Sequence, residues 1–356
     1  MKIQIGCLGR NNRNSHFKCM CSFVPPTVSR KIAASGIKNA GLSNTLADLS
    51  RKKRENRVSS LEEFASLTPV GKAARHVYDC QHQFVERVSL ARDEGKSTHG
   101  DKSVDIMYDY SGKVREYFKN ILNRDSIDNA SMDLHLNVHY GENYMNATWD
   151  GDEMTFGDGD GKIFTDFSRS LDVVAHELGH GVTQWEANLE YIGQSGALNE
   201  HFSDVFGSVI TQHVENQAAD TADWLIGDEI MGPTLKGEAL RSMSDPGTAF
   251  DNPLMGRDQQ PAHMDQLYTG TDDNGGVHIN SGIPNRAFYL AAKDLGTEKA
   301  VIIWYRALQN LWSTALFNDA VKEIVRSAGI LVDSGEVPKG STQVVRAAFK
   351  AVGLPK

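Results

Sequence analysis

The stretch LDVVAHELGHGV, residues 171–182, constrains this chain more than any other. It holds His176-Glu177-Leu178-Gly179-His180, an H-E-x-x-H pattern inside residues that suit a helix with one buried face. Positions i and i+4 of a helix share a face about one turn apart. His176 and His180 can therefore aim two imidazole nitrogens at one point, as tetrahedral Zn²⁺ requires. Glu177 stands next to the first ligand without being one, which suits a general base acting on water beside the metal. The bland alternative is two histidines on a helix surface, since five residues with two wildcards recur by chance.

A third ligand separates these readings. Glu200 falls twenty positions after His180, in the apolar-periodic segment GALNEHFSDVFG, residues 196–207, which reads as a second helix. Two His and one Glu leave a fourth zinc position open, the pattern of a catalytic rather than a structural site. Asp204 lies one turn beyond Glu200 on the same face. It is placed to accept the remaining ring N–H of a ligating histidine, His176 for preference. The longer continuation H-E-x-x-H-x-x-G-x-x-H is excluded, because Thr183 and Glu186 stand where Gly and His would be needed.

HELGH, then GALNEHFSDVFG, then DNGGVHINSGIPNRAFYL at residues 273–290 together resemble the thermolysin-like neutral metalloproteases, from about Arg75 to the C-terminus. The leader with Pro25-Pro26 resembles that of the protealysin-like branch, whose members carry a brief prosegment. The resemblance implies an α+β, two-domain fold. A β-rich N-terminal domain at 68–186 would carry the zinc helix, a mainly helical domain would span 187–356, and a prosegment would cover 1–67. It also implies a zinc endopeptidase, made latent, cutting on the N-terminal side of bulky apolar residues.

The resemblance assigns site roles as well. His278 and Tyr191 would stabilise the oxyanion, with Asp273 holding the His278 ring. Arg241 would bind a substrate carbonyl. Asn146 and the backbone of Ala147 would hold an extended substrate as an added strand. Phe164, Phe167, Val173 and Leu240 would line the apolar pocket after the scissile bond. Paired calcium ions in long family members correspond to a segment here that keeps Asp172, Asp223 and Asp228. Thr211 and Leu225 replace two acidic positions, so calcium is expected only in weakened form. A zinc aminopeptidase is the nearest rival, but its G-A-M-E-N motif is absent. A catalytically silent binding protein is disfavoured by intact Glu177, Tyr191 and His278.

Charge adds a second theme. Residues 1–75 carry 14 Lys and Arg against 4 Asp and Glu, or +10, while the whole chain is at −9, which leaves the body at −19. A basic leader on an acidic body suggests pairing in cis, weakened by salt. The densest run, Arg51-Lys52-Lys53-Arg54, has no interleaved aromatics, so no nucleic-acid partner is expected. No run approaches the roughly 18 apolar residues of a membrane span. No apolar stretch near the start reaches the roughly 7–15 residues of a signal peptide. The expectation is a monomer made in the cytoplasm, acting on proteins or peptides, with any export by a non-classical route.

Of Cys7, Cys19, Cys21 and Cys80, only Cys80 lies in the body, so no disulfide framework is expected. Cys19 and Cys21 read as incidental thiols, with a thiolate cap on zinc as the sharper alternative. In chain order, residues 1–20 read as disordered, and Ser22–Pro26 as extended before a short helix at Val28–Ile37. Helical stretches follow at Thr45–Phe64, then a junction at 65–75 with self-cleavage between Val58 and His76. Val104–Leu122 reads as an amphipathic helix and Leu134–Tyr140 as a strand. His135 and His139 share one strand face, where a solvated face is favoured over a metal site. Gly157–Gly161 reads as a glycine-rich turn, because Lys162 and Arg169 break the EF-hand pattern.

Overall fold

The structure, a computed structural model, describes residues 21–37 and 72–355. Thr45–Phe64, the basic run, most of the 65–75 junction and residues 1–20 lie outside the described residues. A mixed six-stranded sheet forms the first half, in the order β1-β5-β6-β4-β2-β3. Its strands are β1 (Cys21–Ser22), β2 (Arg75–Asp79), β3 (Ser89–Asp93), β4 (Leu134–Val138), β5 (Ala147–Trp149) and β6 (Met154–Phe156). β2 runs parallel to β4 and β4 parallel to β6, while β5 and β6 form an antiparallel pair. The leader strand β1 adds antiparallel to β5, with Cys21 opposite Trp149 and Ser22 opposite Thr148.

Between β1 and β2, helix α1 (Pro26–Ala34) opens with proline at its first position, where the missing N–H costs nothing. α2 (Lys102–Leu122) follows the amphipathic pattern, burying Val104, Met107, Val114, Phe118 and Leu122 against the sheet. Asp101 caps it by accepting from Ser103 N at 2.9 Å and Val104 N at 3.1 Å. Asn123 closes it in the left-handed region.

The helix carrying HELGH, α3 (Leu171–Glu186), differs from the sequence expectation. It is buried from Leu171 to Gln184 without a break, not along one face. It lies between the sheet and α4 (Gly193–Val214), so every side meets protein. Two glycines permit this closeness. A Cβ on Gly179 would stand 3.0 Å from the Phe206 ring and 3.1 Å from Ser203 Cα, and one on Gly207 would stand 2.9 Å from the Asp172 carbonyl.

The second half is helical: α5 (Asp272–Asn280), α6 (Gly282–Leu295), α7 (Thr297–Leu308), α8 (Phe317–Asp333) and α9 (Ser341–Ala351). Trp304 anchors it, edge-on to Phe288 at 5.2 Å and stacked on Phe349 at 5.7 Å. No described helix is long and apolar enough to cross a membrane. The α+β layout thus has a sheet-based half and a helical half joined through α3 and α4.

Candidate metal centre and substrate cleft

α3 and α4 bring His176, His180 and Glu200 together, fully or almost fully buried. Nε2 of His176 lies 3.0 Å from Nε2 of His180 and 3.6 Å from Glu200 Oε2; Nε2 of His180 lies 3.4 Å from Glu200 Oε1. The outer ring nitrogens are already committed. His176 Nδ1–H donates to Asp204 Oδ1 at 2.9 Å, and His180 Nδ1–H to Asn199 Oδ1 at 2.8 Å. Asn199 Nδ2 donates to the Leu189 carbonyl, which fixes its oxygen towards His180. Both Nε2 atoms therefore present bare lone pairs to each other and to a carboxylate. Without a cation that arrangement is repulsive. Four-coordinate Zn²⁺ with bonds of about 2.0–2.1 Å sets its ligands about 3.3 Å apart, close to what these atoms show. Burial also pulls His176 down to about 4 and His180 to about 3, keeping them in the neutral form that ligates metal.

Neither oxygen of Glu177 has a hydrogen-bond partner of normal geometry, although the side chain is wholly buried. Burial first, and Glu200 second, raise its carboxyl well above the usual range. An orphaned carboxylate beside a metal-capable cluster has the affinity for a proton that a general base needs.

Asp204 is the hub behind the ligands. Burial disfavours its ionisation, but Arg241 and His176 outweigh that and hold it below the ordinary carboxylate range. Arg241 grips it through Nε and Nη2 at 2.9–3.0 Å, and Asn285 Nδ2 donates to it at 2.9 Å. Arg241 therefore has two duties, one to Asp204 and one to the cleft.

His278 follows a backbone feature found nowhere else in the described chain. Asp273, Asn274, Gly275 and Gly276 all have positive φ, from 51° to 82°. Two glycines and an asparagine tolerate that region, and Asp273 is held there by its own bonds. Its Oδ2 accepts from His278 N at 2.8 Å, and its Oδ1 meets His278 Nδ1 at 2.5 Å. Burial opposes charge on His278, but Asp273 and Glu200 hold it up to about 9, so its Nε2 is a charged donor. That Nε2 stands 3.1 Å from the Tyr191 hydroxyl, which in turn donates to Glu200.

The leader fills the cleft between these groups. Phe23 N–H donates to the Ala147 carbonyl at 3.0 Å, and Val24 N–H to Asn146 Oδ1 at 2.8 Å. Arg241 Nη1 donates to the Phe23 carbonyl at 3.0 Å, and His278 Nε2 to the Ser22 carbonyl at 2.8 Å. The Phe23 ring is fully buried, 5.0 Å edge-on from His176 and 4.7 Å from the Arg241 guanidinium. A Cβ on Gly227 would sit 3.0 Å from this ring and 3.4 Å from Leu240 Cβ. Phe164, Phe167 and Val173 are buried in the same core, with the Phe164 and Phe167 rings 5.6 Å apart.

Comparisons with known proteins agree with this geometry. Residues 45–184 match the model of the thermolysin metallopeptidase catalytic domain, and residues 187–354 that of its alpha-helical domain. An extracellular metalloprotease of Pectobacterium carotovorum subsp. carotovorum is 46% identical over 305 residues, covering 81% of this chain and 84% of the relative. The chain belongs to the thermolysin metallopeptidase family. Protease PrtS of Photorhabdus sp. (strain Az29) is 45% identical over 287 residues, 79% of this chain and 76% of that protein. The solved precursor of protealysin from Serratia proteamaculans superposes with a TM-score of 0.82 at 40% identity, covering 94% of this chain and 100% of that one. As a thermolysin-family member this is a zinc metalloendopeptidase made as a precursor, with proteins or peptides as substrates.

Several expectations resolve against this family background. Asp160, in the glycine-rich turn, caps it by accepting from Lys162, Ile163 and Phe164 N–H groups, a role that needs no calcium. Asp172 accepts from Gly227 N and Val173 N, and Asp223 from Leu225 N. Among the described residues these aspartates and Asp228 do not converge as a three-ligand group. Cys21 is buried in β1 opposite Trp149 and is not among the clustered metal-ligating atoms, and Cys19 lies outside the described residues. Neither Cys21 nor Cys80 is in a disulfide.

Sequence reasoning missed Asn199, Asn285 and Phe23. Asn199 precedes Glu200 directly on a buried helix, and a buried Asn there signals a partner. Asn285 sits in the otherwise apolar start of α6, and Phe23 is the aromatic two residues before Pro25-Pro26.

Proposed function

We propose that the chain cuts peptide bonds on the N-terminal side of bulky apolar residues, and that its own leader holds it latent in cis by lying in the cleft as a substrate would. The observation that carries this reading is the pairing of every backbone polar group from the Ser22 carbonyl to the Val24 N–H with a cleft residue. The Ser22 carbonyl is the one beside the metal ligands, through His278, whose Nε2 is 3.6 Å from Glu200 Oε1. The bond between Ser22 and Phe23 thus stands in the register for attack, and Phe23 stands for the residue after the cut.

His176, His180 and Glu200 would hold the zinc ion, which when bound supplies Lewis acidity towards a carbonyl oxygen and towards water. The chain's own groups do the rest. Asn146 and Ala147 align an extended substrate by strand addition. Glu177 takes a proton from the attacking water and returns it to the departing amine as the C–N bond breaks. His278, steadied by Asp273, and Tyr191 donate hydrogen bonds to the negative charge growing on the carbonyl oxygen. Arg241 holds the next carbonyl. A buried apolar pocket at Leu240 gives about 1.5–3 kcal/mol for a Leu or Phe side chain.

The leader leaves the cleft at Pro25-Pro26. Prolines lack the N–H that strand addition requires, and Pro26 starts α1. α1 then lies beside Leu240, Phe250 and Met255, with Arg30 3.7 Å from Asp272. Maturation would cut between Val58 and His76, where Ser66-Leu67 and Pro69-Val70 offer apolar residues after the bond. Calcium would be a weaker part of this reading. Burial together with neighbouring acids raises Asp228 to about 6 and Glu229 to about 7, a strain that a cation would relieve.

The test uses full-length Glu177→Gln, which cannot cut itself, treated with active mature enzyme. N-terminal sequencing should find a start between residues 59 and 77. A peptide library should show Phe or Leu after the cut; a preference for Asp or Lys there would overturn the specificity. A leader that never inhibits the mature enzyme in trans would overturn latency. Release of single amino acids from peptide ends would favour an exopeptidase instead.

A further inference from the structure

His135 and His139 were expected on one strand face, but the structure separates them. β4 stops at Val138, and His139 takes φ 53°, which ends the strand's alternation. His135 stacks on His76, ring centroids 5.0 Å apart. His139 instead meets His82, at 5.4 Å, and Asp158 from the glycine-rich turn.

We propose that His82, His139 and Asp158 form a second metal site, for a divalent transition ion such as Zn²⁺, separate from the cluster of His176, His180 and Glu200. One ligand atom from each residue lies within 4.8 Å of the other two, a separation that one ion can span. His139 Nδ1 is 2.9 Å from both Asp158 oxygens, and His82 Nδ1 is 3.3 Å from Asp158 Oδ2. The back of the His139 ring is already fixed. Its Nε2 faces Asp101 Oδ1 at 3.2 Å, so a proton on Nε2 is held there and Nδ1 can offer a lone pair. A carboxylate behind a ligating imidazole is the usual support of a metal-bound histidine. Asp101 is itself fixed as the N-cap of α2.

The backbone holds the two histidines together. His82 N–H donates to the His139 carbonyl at 2.9 Å, and Gly141 N–H to the Gln83 carbonyl at 3.0 Å. Two imidazoles and one carboxylate suit Zn²⁺, Ni²⁺ or Cu²⁺, whereas Ca²⁺ and Mg²⁺ prefer shells of oxygen. The His82 side chain is 60% exposed, which leaves an entry path and room for water at the remaining positions. Without metal the same groups form a cluster of hydrogen bonds, so an ion must displace the proton shared between His139 and Asp158. Occupancy would tie the loop after β2, the end of β4 and the glycine-rich turn into one unit.

The test compares the full chain carrying Glu177→Gln with the same chain carrying His82→Ala as well. Each is dialysed to equilibrium against a series of Zn²⁺ concentrations, and bound metal is measured by elemental analysis. The parent should bind one equivalent more than the His82→Ala chain at saturation. Its thermal midpoint should rise further with zinc. Cobalt substitution should give the parent a second set of visible bands that His82→Ala lacks. If His82→Ala disturbs folding by circular dichroism, His82→Gln serves the same comparison. Equal zinc in parent and variant across the series, with identical cobalt spectra, would overturn the site. A His176→Ala chain that still binds the His82-dependent equivalent would separate this site from the catalytic one; loss of both together would also overturn it.

Discussion

Arg241 donates from Nη1 to the carbonyl oxygen of Phe23 at 3.0 Å, across 218 positions of sequence. The same guanidinium grips Asp204, which in turn holds the ring of His176. One buried side chain therefore joins the leader, the cleft and a metal ligand. Its planar fork suits this, since the donors point in fixed directions towards different acceptors. With the leader docked, Arg241 donates to the Phe23 carbonyl and still holds both oxygens of Asp204. The precursor can thus be latent while its metal-binding geometry is already assembled.

Glu177→Gln should abolish peptide hydrolysis while zinc stays bound. The substitution keeps the shape but removes the group that accepts a proton, for a loss of roughly 10²–10⁴-fold. Metal analysis beside a fluorogenic peptide assay checks it. Near-normal turnover in a zinc-replete sample would remove Glu177 from the mechanism. His176→Ala, by contrast, should lose the metal.

Asp204→Ala should cost both stability and metal. It leaves Arg241, only 1% exposed, as a buried charge without its carboxylate, which typically costs about 3–5 kcal/mol. It also frees the His176 ring, and loss of such a support weakens metal binding about 10–100-fold. Urea unfolding and competition with a zinc chelator read the two effects separately. Unchanged zinc affinity in a folded Asp204→Ala chain would refute the orienting role.

The sequence made the metal centre legible because helical spacing alone brings His176 and His180 together, and a second apolar helix carries Glu200 and Asp204. α2 was equally legible, from its periodicity, although its Asp101 cap came only with the structure. Three things were not. The all-round burial of α3 depends on Gly179 and Gly207 admitting α4, and a glycine in a helix does not announce its neighbour. The end of β4 depends on His139 adopting positive φ, which its alternating pattern conceals. The seating of Phe23 is a contact between residues far apart in sequence; Pro25-Pro26 marked an extended segment suited to blocking the cleft, but not which side chain enters it.

Phe23→Ala should loosen the leader. The ring is wholly buried, and removal of a buried Phe side chain typically costs about 3–5 kcal/mol. Each 1.4 kcal/mol is about tenfold in an equilibrium, so the open population should rise roughly a hundredfold or more. Calorimetric binding of a Phe-containing peptide to the full chain with Glu177→Gln, with and without Phe23→Ala, measures this without self-digestion. Tighter peptide binding is expected in the double variant. Equal affinity in the two chains would mean that Phe23 does not hold the cleft.

The acid limb of stability should depend on Glu94. Its carboxylate accepts from Arg75 Nη2 at 2.5 Å, from Nε at 2.7 Å and from the Arg75 backbone N–H at 3.0 Å. Tyr108 donates to it at 3.1 Å, and the Arg75 guanidinium lies 3.7 Å from the Tyr108 ring. The hydrogen bonds from Arg75 outweigh the modest burial and hold Glu94 down to about 2 from its ordinary 4.5. A carboxylate whose pKa is depressed by folding stabilises the fold above its unfolded value. That contribution should be complete above pH 4.5 and fade as the pH falls towards 2. Solvent around Glu94, about a third exposed at 34%, screens it, so the effect is modest. Thermal midpoints of the Glu177→Gln chain with and without Glu94→Gln should differ at pH 6 and converge as the pH approaches 2. A gap that stays constant over that range would assign the loss to packing rather than to charge.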